Sequence, residues 1–453
     1  MKHTIARRTF LLKSALSFGS LPMQSLVTGL PVSFLAGTGL AGLSNRAFAA
    51  DDYKYLIVSH MRTGDPINAN MPGTYPANNS DVLSNIDHPD APGFKVPTDF
   101  KLGTVDVKAA APWATLPNDL RARMGFWNHG TYVNAHTDFQ AVRRFNGAVK
   151  DEKFSLNSKE EFDGFISQET ATGLGCVLKE PLSVGGNRIN YDGQAVPIFE
   201  PDAIKGLFAS NAGNIERMIK ARDHFVDRNY RSIKNNGTPA QKKFFDRMVQ
   251  SRQTAATVSE ELSSRVSGIN GDDPANQAKM IVALIQVNVA PVYTFGIPFG
   301  GDNHQDNDLS DEVQETTKAM EYIDTLWKEL KAAGKQNDVV VTSLNPFGRT
   351  LLRNSRGGRD HNGLHHGMFV FGQAIKPGIV GGLEPVRTGG KVTEFKASAI
   401  QSNTGKARSN GDIPFEETLV SVGKTLAKAV GISEERIEKR LDGGKIIKGA
   451  LKS

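Results

Sequence analysis

The run DVVVTSLNPFGRTLLRNSRGGRDHNGLHHG, residues 338–367, decides how this chain is read. It opens on Val339, Val340, Val341 and Thr342, a short apolar β-branched run of the kind that forms a buried strand. Asn345-Pro346 ends the run, because proline cannot continue a central strand. Arg349, a glycine turn at Gly357-Gly358, Arg359, Asp360 and His361 follow, with His365 and His366 just beyond. Open α/β sheets build their sites where buried strands release polar residues into loops at their C-terminal ends. The plainer alternative is a surface loop with a few solvated histidines.

Outward from this run the pattern repeats. Residues 291–297 read as a strand ending in Gly300-Gly301-Asp302-Asn303-His304, and 309–334 as an amphipathic helix capped by Ser310 and stopped by Gly334. Strand, helix, strand with both strands continuously apolar is a βαβ unit of a parallel sheet. It places Asp302, His304, Asn345 and Arg349 at one edge. Residues 53–60 read as a central strand running into Gly64-Asp65-Pro66, where Asp65 is either a metal ligand or a turn-forming residue. Residues 116–124 read as a short helix with Pro117 at its start, and 125–129 as a strand end. Residues 139–145 read as a helix capped by Thr137 or Asp138, which puts His129, Thr131, His136 and Thr137 where a nucleophile or an anion-binding group works. Ordinary capping accounts for Thr137 and Asp138 equally well.

Residues 154–270 read as an insertion. It holds a charged helix near 159–168, a strand at 182–184 and two long helices at 214–234 and 239–266 that suit a cap or outer layer. A core-packed helix follows at 274–287. Residues 367–372 read as a further strand, 375–402 as irregular strands and loops, 415–430 as a helix, and the lysine-rich 445–452 as a solvated tail.

The 453 residues, 39% hydrophobic and 8% aromatic, suit a globular protein with a sizeable core. The formal charge of +6 is concentrated at the start. Residues 1–49 carry Lys2, Arg7, Arg8, Lys13 and Arg46 and no acid, so the remainder balances 49 basic against 48 acidic residues. That balance argues against a nucleic-acid binder. Ala6-Arg7-Arg8-Thr9-Phe10-Leu11-Leu12-Lys13 resembles a twin-arginine export signal, and Ala47-Phe48-Ala49 fits its cleavage site. The expectation is a signal peptide over 1–49, use of the twin-arginine export machinery, and a periplasmic or secreted mature protein over 50–453. Prolines and glycines interrupt the leader, and no later stretch is long and apolar enough to span a membrane. Cys176 is the one cysteine, which excludes an intramolecular disulfide and suits a small core residue better than a nucleophile.

Asp302 with His304, and Asp360 with His361, each pair a hard oxygen with a borderline nitrogen donor. Such mixtures suit Zn²⁺ or Mn²⁺, and oxygen-rich versions suit Ca²⁺. Asp65 and His365 are further candidate ligands. Arg349 would neutralise a phosphoryl or sulfuryl group through bidentate bonds, or else form a structural ion pair.

Residues 53 to about 430 resemble a large bacterial family of twin-arginine-exported proteins of unknown function related to the alkaline phosphatase and sulfatase superfamily. The matching landmarks are Gly64-Asp65 with Asn68, His136 to Phe139, Gly300-Gly301-Asp302-Asn303-His304, Phe347-Gly348-Arg349-Thr350 and Gly358-Arg359-Asp360-His361. The resemblance implies an α/β fold, a three-layer αβα sandwich with a mostly parallel sheet, and metal ligands at strand ends. Two positions depart from the family's pattern: Asn345 stands where an acidic residue is usual, and Gly301 where a tryptophan is. The expected function is a metal-dependent hydrolase of small-molecule or glycan esters of phosphate or sulfate, with Thr137 or a metal-bound water as nucleophile. The alternative is a non-enzymatic periplasmic binding or envelope-assembly protein on the same scaffold.

Overall fold

The computed structural model describes residues 52–60, 67–77, 81–150, 160–186, 188–191, 194–209, 234–239, 262–299 and 301–452. Its centre is an eight-stranded sheet. In chain order the strands are β1 (Tyr55–Ser59), β2 (Met124–His129), β3 (Leu182–Val184), β4 (Ile198–Phe199), β5 (Val292–Phe295), β6 (Val339–Ser343), β7 (His366–Gly372) and β8 (Gly378–Val380). Across the sheet they lie in the order β8-β2-β7-β6-β1-β5-β3-β4. Pairs β1/β6, β1/β5, β5/β3, β3/β4 and β8/β2 are parallel. Only β7 runs against its neighbours β6 and β2. The sheet is therefore mixed and mostly parallel, as expected.

Alternation along each strand explains why the inner strands are apolar throughout. Tyr55 and Ile57 of β1, Val339 and Val341 of β6, and Phe369 and Phe371 of β7 enter one core. Leu56, Val58, Val340, Met368 and Val370 enter the other. Successive side chains of a strand point to opposite faces, so a strand covered on both sides has no polar face. Each such valine or leucine contributes about 1.5–3 kcal/mol by leaving water. The first core is closed by helices α2 (Pro274–Gln286) and α3 (Ser310–Ala332), the second by α1 (Phe162–Leu174) and α4 (Thr418–Ala429).

Several expectations are met and several need correction. The strands at 53–60, 125–129, 182–184, 291–297, 339–342 and 367–372 and the helices at 274–287 and 309–334 are present within a residue or two, and the helix at 415–430 begins three residues later, after a 3-10 turn. Strands β5 and β6 are parallel but not adjacent, since β1 lies between them. Ser310 is the first helical residue of α3 and not its cap: Leu309, at φ 57°, occupies the cap position without a side-chain bond. Its role passes to carboxylates, with Asp308 accepting from the Ser310 amide and Asp306 from the Glu312 amide. The helix after His136 is only five residues, Phe139–Arg143, and Asp138 makes no capping hydrogen bond.

The stretch 154–270 supplies β3 and β4 to the main sheet and α1 to one of its faces; most of the two long helices lies outside the described residues. The C-terminal stretch is no solvated tail. Ile446, Ile447 and Ala450 are in the second core, and the Lys452 amide donates to the Ala374 carbonyl. Its lysines mask an apolar set that packs inward.

Candidate metal centre

The centre lies at the edge where β2, β5 and β6 end and β7 begins. The loop after β2 supplies Asn134 and His136. The loop after β5 supplies Asp302 and His304. The loop after β6 supplies Phe347, Arg349, Asp360 and His361. Two glycines let these loops touch. A Cβ on Gly358 would fall 2.1 Å from the Asn303 carbonyl oxygen, and one on Gly363 would fall 2.5 Å from that of Val133. Contacts of that length exclude any side chain, so the glycine turn is there for close backbone approach. The Arg359 amide then donates to Asn303 at 3.1 Å, and the Thr131 and Tyr132 amides both donate to the Gly363 carbonyl.

A buried ion pair fastens the loops from below. Arg359 and Glu312, both fully buried, meet through two bonds of 2.7 and 3.2 Å. The guanidinium also donates to the Thr350, Leu351 and Asp87 carbonyls. Glu312 in turn accepts from the side-chain amides of Asn70 and Asn303. This pair satisfies the condition on which buried charges are tolerated, that both partners are fully hydrogen-bonded. Sequence reading missed Glu312, which looked like one more charge on an amphipathic helix.

Above the pair, His136, Asp302 and His361 bring one donor atom each within 4.8 Å of the others. His136 Nε2 is 3.5 Å from Asp302 Oδ2, and His361 Nε2 is 3.9 Å from Asp302 Oδ1. Metal bonds of about 2.0–2.2 Å at tetrahedral angles set ligand atoms roughly 3.3–3.6 Å apart, close to this spacing. His304 Nε2 comes within 3.0 Å of His361 Nε2 and 3.3 Å of Asp302 Oδ1.

The second nitrogen of each of these two rings is committed. His361 Nδ1 is 2.9 Å from the Asn134 carbonyl oxygen, which can only accept, so Nδ1 carries the proton. His304 Nδ1 is 2.9 Å from Asp360 Oδ1. Burial works against the Asp360 carboxylate, but bonds from Asn354 and His304 outweigh it and hold its carboxyl below the usual range. An ionised carboxylate accepts only, so His304 Nδ1 is a donor too. Carboxylate or carbonyl partners at the far nitrogen are how metal-binding histidines are oriented.

Arg349 is fully buried and donates to Asp302 Oδ1 at 2.7 Å and to the Gly301 carbonyl at 3.1 Å, with Nη1 3.3 Å from His304 Nε2. Burial raises the Asp302 carboxyl, but the Arg349 bond and charge, then His136 and His304, hold it below its ordinary value. Burial first, and then the charge of Arg349, lowers His361 against the support of the Asn134 carbonyl. The Phe347 ring stacks on His361 at 4.0 Å and fixes its plane.

Of the expected site residues, Asp302, His304, Asp360, His361, Arg349 and His136 come together. His136 does so beside Asp302 as a candidate ligand, where a catalytic or anion-binding role was expected. Asp65 lies outside the described residues. Thr137 is exposed, and its hydroxyl donates to Asp138 at 3.3 Å. His365 sits elsewhere, fully buried with Nε2 2.8 Å from Asn128 Oδ1, beside the pair His129 and His366. The Asn134 carbonyl carried no sequence signal, since any residue offers one. Asn354, which donates to both Asp360 and the His304 carbonyl, was hidden in an ordinary turn.

No curated protein matches the chain. The segment that carries Asp302, His304, Arg349, Asp360 and His361, but not His136, falls within residues 207–401, which match a family described as a protein of unknown function (DUF1501).

Proposed function

We propose that the protein is an exported, metal-dependent hydrolase of phosphate or sulfate esters, built as a three-layer, alkaline-phosphatase-like αβα sandwich. The observation that carries the reading is the 3.0 Å approach of His304 Nε2 to His361 Nε2 while both Nδ1 atoms are spent on acceptors. Arg349 Nη1, 3.3 Å from His304 Nε2, serves that lone pair, so it is the lone pair of His361 Nε2 that calls for a proton or a cation. The adjoining Asp302 carboxylate and the His136 ring favour the cation. Two imidazoles to one carboxylate, with the His304 ring beside them, form a nitrogen-rich set that suits Zn²⁺ or Mn²⁺ and disfavours Ca²⁺.

A divalent ion held by His136, Asp302 and His361 would supply Lewis-acid polarisation of an ester oxygen. The protein's own groups do the rest. Arg349 fixes Asp302 and His304 and lends positive charge toward a bound anion. Asp360 holds the His304 ring in one orientation. The attacking oxygen is assigned to water, because the Thr137 hydroxyl is turned to Asp138. The leader over residues 1–49 supports export and a periplasmic or secreted location.

Asn345, buried at the end of β6 where an acid was expected, favours the second reading, a binding or envelope-assembly protein with a reduced site. Elemental analysis of protein purified without a metal-affinity step separates the two, combined with a panel of esters. About one Zn or Mn per chain, lost in His361→Ala together with turnover, supports the hydrolase. Metal-free protein with no turnover on any ester overturns it.

A further inference from the structure

At the end of β1 lies a second buried charge network, one that the proposed chemistry does not use. His60 follows Ser59 directly and is 3% exposed. Its amide donates to the Phe295 carbonyl, at the end of β5, at 2.9 Å. Its Nδ1 is 2.7 Å from the Leu344 carbonyl oxygen, just past β6. Its Nε2 is 3.2 Å from Oδ2 of Asp163, in the first turn of α1. The same carboxylate oxygen accepts from Arg143 at 2.7 Å, and Arg143 ends the short helix that follows His136. One residue thus ties β1 to the strand ends from which two of the site's loops depart, and through Asp163 and Arg143 to the third.

The metal centre is only a few residues from these anchors. Phe295 is seven residues before Asp302, Arg143 seven after His136, and Leu344 three before Phe347. Phe347 carries the position onward, since its ring stacks on His361 and stands edge-on to His136 with centroids 5.1 Å apart.

The charges in the network balance in only one way. Glu161 takes the Asn190 backbone amide on one oxygen and its side-chain amide on the other, with Arg143 Nη2 3.0 Å from Oε2, so it is a carboxylate. Burial works against the charged form of Asp163, but His60 and Arg143 outweigh it and hold its carboxyl below the ordinary range. Two fully buried carboxylates on one guanidinium leave a negative charge over. Glu160, the next acid on that segment, accepts from Gln168 at 3.2 Å. His60 completes the balance when both its nitrogens carry protons, and their partners require it. A carbonyl and an ionised carboxylate can only accept.

We propose that His60 is a buried imidazolium and a positioning residue of the metal centre, holding the roots of the loops after β2, β5 and β6 in one arrangement. The proposal rests on the metal-dependent reading for the centre, and on the local geometry alone for the charge of His60. Buried charges persist only where they are paired and bonded. Removing this one leaves Asp163 without its second cation and loosens three roots together.

The experiment uses the full-length protein with ¹⁵N-labelled histidine. In ¹H–¹⁵N spectra at pH 7, with His60→Gln identifying the signals, both His60 nitrogens should resonate as protonated. One unprotonated nitrogen overturns the imidazolium. Co²⁺ is then titrated into the parent, His60→Gln and the double variant His60→Gln/Asp163→Asn, and the visible absorption of the bound ion is followed. His60→Gln should weaken Co²⁺ binding about 10- to 100-fold and alter the spectrum. The double variant removes the unbalanced negative charge and should recover most of the affinity, and it does the same for folding if His60→Gln alone is unstable. A double variant no better than the single one overturns the charge argument. Unchanged Co²⁺ binding in His60→Gln sinks the positioning role and leaves the metal-dependent reading intact. A parent that binds no Co²⁺ sinks that reading and the positioning role with it, while two protonated nitrogens would keep the buried imidazolium.

Discussion

Two groups of histidines stand at the same edge of one sheet, and they are built for different ends. His136, His304 and His361 are partly exposed and share Asp302, and His304 has Asp360 behind it. His129, His365 and His366 are fully buried, and Asn128, the Gly130 carbonyl and one another are among their partners. His361 and His365 are four residues apart in one loop. What separates them is the charge and the water each ring meets. In the first group, carboxylates and solvent make a cation affordable. In the second, burial first and then the neighbouring His366 push His129 well below the ordinary histidine range and His365 down to about 3, so His129 and His365 stay neutral.

The comparison breaks most decisively if ligand loss has no effect. Asp302→Ala or His361→Ala should reduce bound metal to background and turnover by more than about a hundredfold, read by elemental analysis and initial rates. The buried pair below comes next. Glu312→Gln leaves the Arg359 charge buried without its counter-ion and should cost about 3–5 kcal/mol in urea unfolding. If that variant unfolds as the parent does, the loops are held by something other than this pair.

His365→Ala should cost about 2–3 kcal/mol through the lost packing and the unpaired Asn128 oxygen, and leave metal content untouched. Metal loss in this variant would merge the two groups into one site. Asp360→Ala, which removes the partner of His304 Nδ1, should weaken metal affinity or turnover about 10- to 100-fold with little change in stability.

The last test is in the acid limb of the stability curve. A histidine depressed in the folded state binds its proton in the unfolded chain first, so stability falls as pH drops below about 6.5 and continues to fall until the folded value is reached, near 3 for His365. Its slope is about 1.4 kcal/mol per pH unit. Asp302 and Asp360 are also lowered, but in an acid that shift stabilises the fold: their contribution is complete above about 3.9 and is lost only below it. Urea titrations between pH 7 and 4 should therefore show a shallower acid slope in His365→Gln and an unchanged one in Asp360→Asn.

Much of this was legible before any coordinates. Continuous β-branched runs announced β1 and β6 because both faces of those strands are covered, and helical spacing announced α2, α3 and α4. The pairs Asp302/His304 and Asp360/His361 stood out because each sets a hard oxygen beside a borderline nitrogen just beyond an apolar strand. The misreadings share a cause. His365 looked like a ligand since a sequence does not show which histidine of a loop is buried. The 445–452 stretch looked like a tail since its lysines outnumber the isoleucines that anchor it. Ser310 looked like a cap since propensity for the cap position says nothing of Asp306 and Asp308 folding back to take the amides.

The amino-acid sequence by itself determined the class of fold and the kinds of donor at the strand ends, because burial periodicity and side-chain chemistry are local properties. Only the tertiary structure decided which donors meet. His136 comes from a loop more than 160 residues from Asp302, and the orientation of His361 depends on the backbone carbonyl of Asn134. Both follow from glycines that let separate loops touch and from a buried ion pair that keeps them there, and convergence of that kind has no signature along the chain.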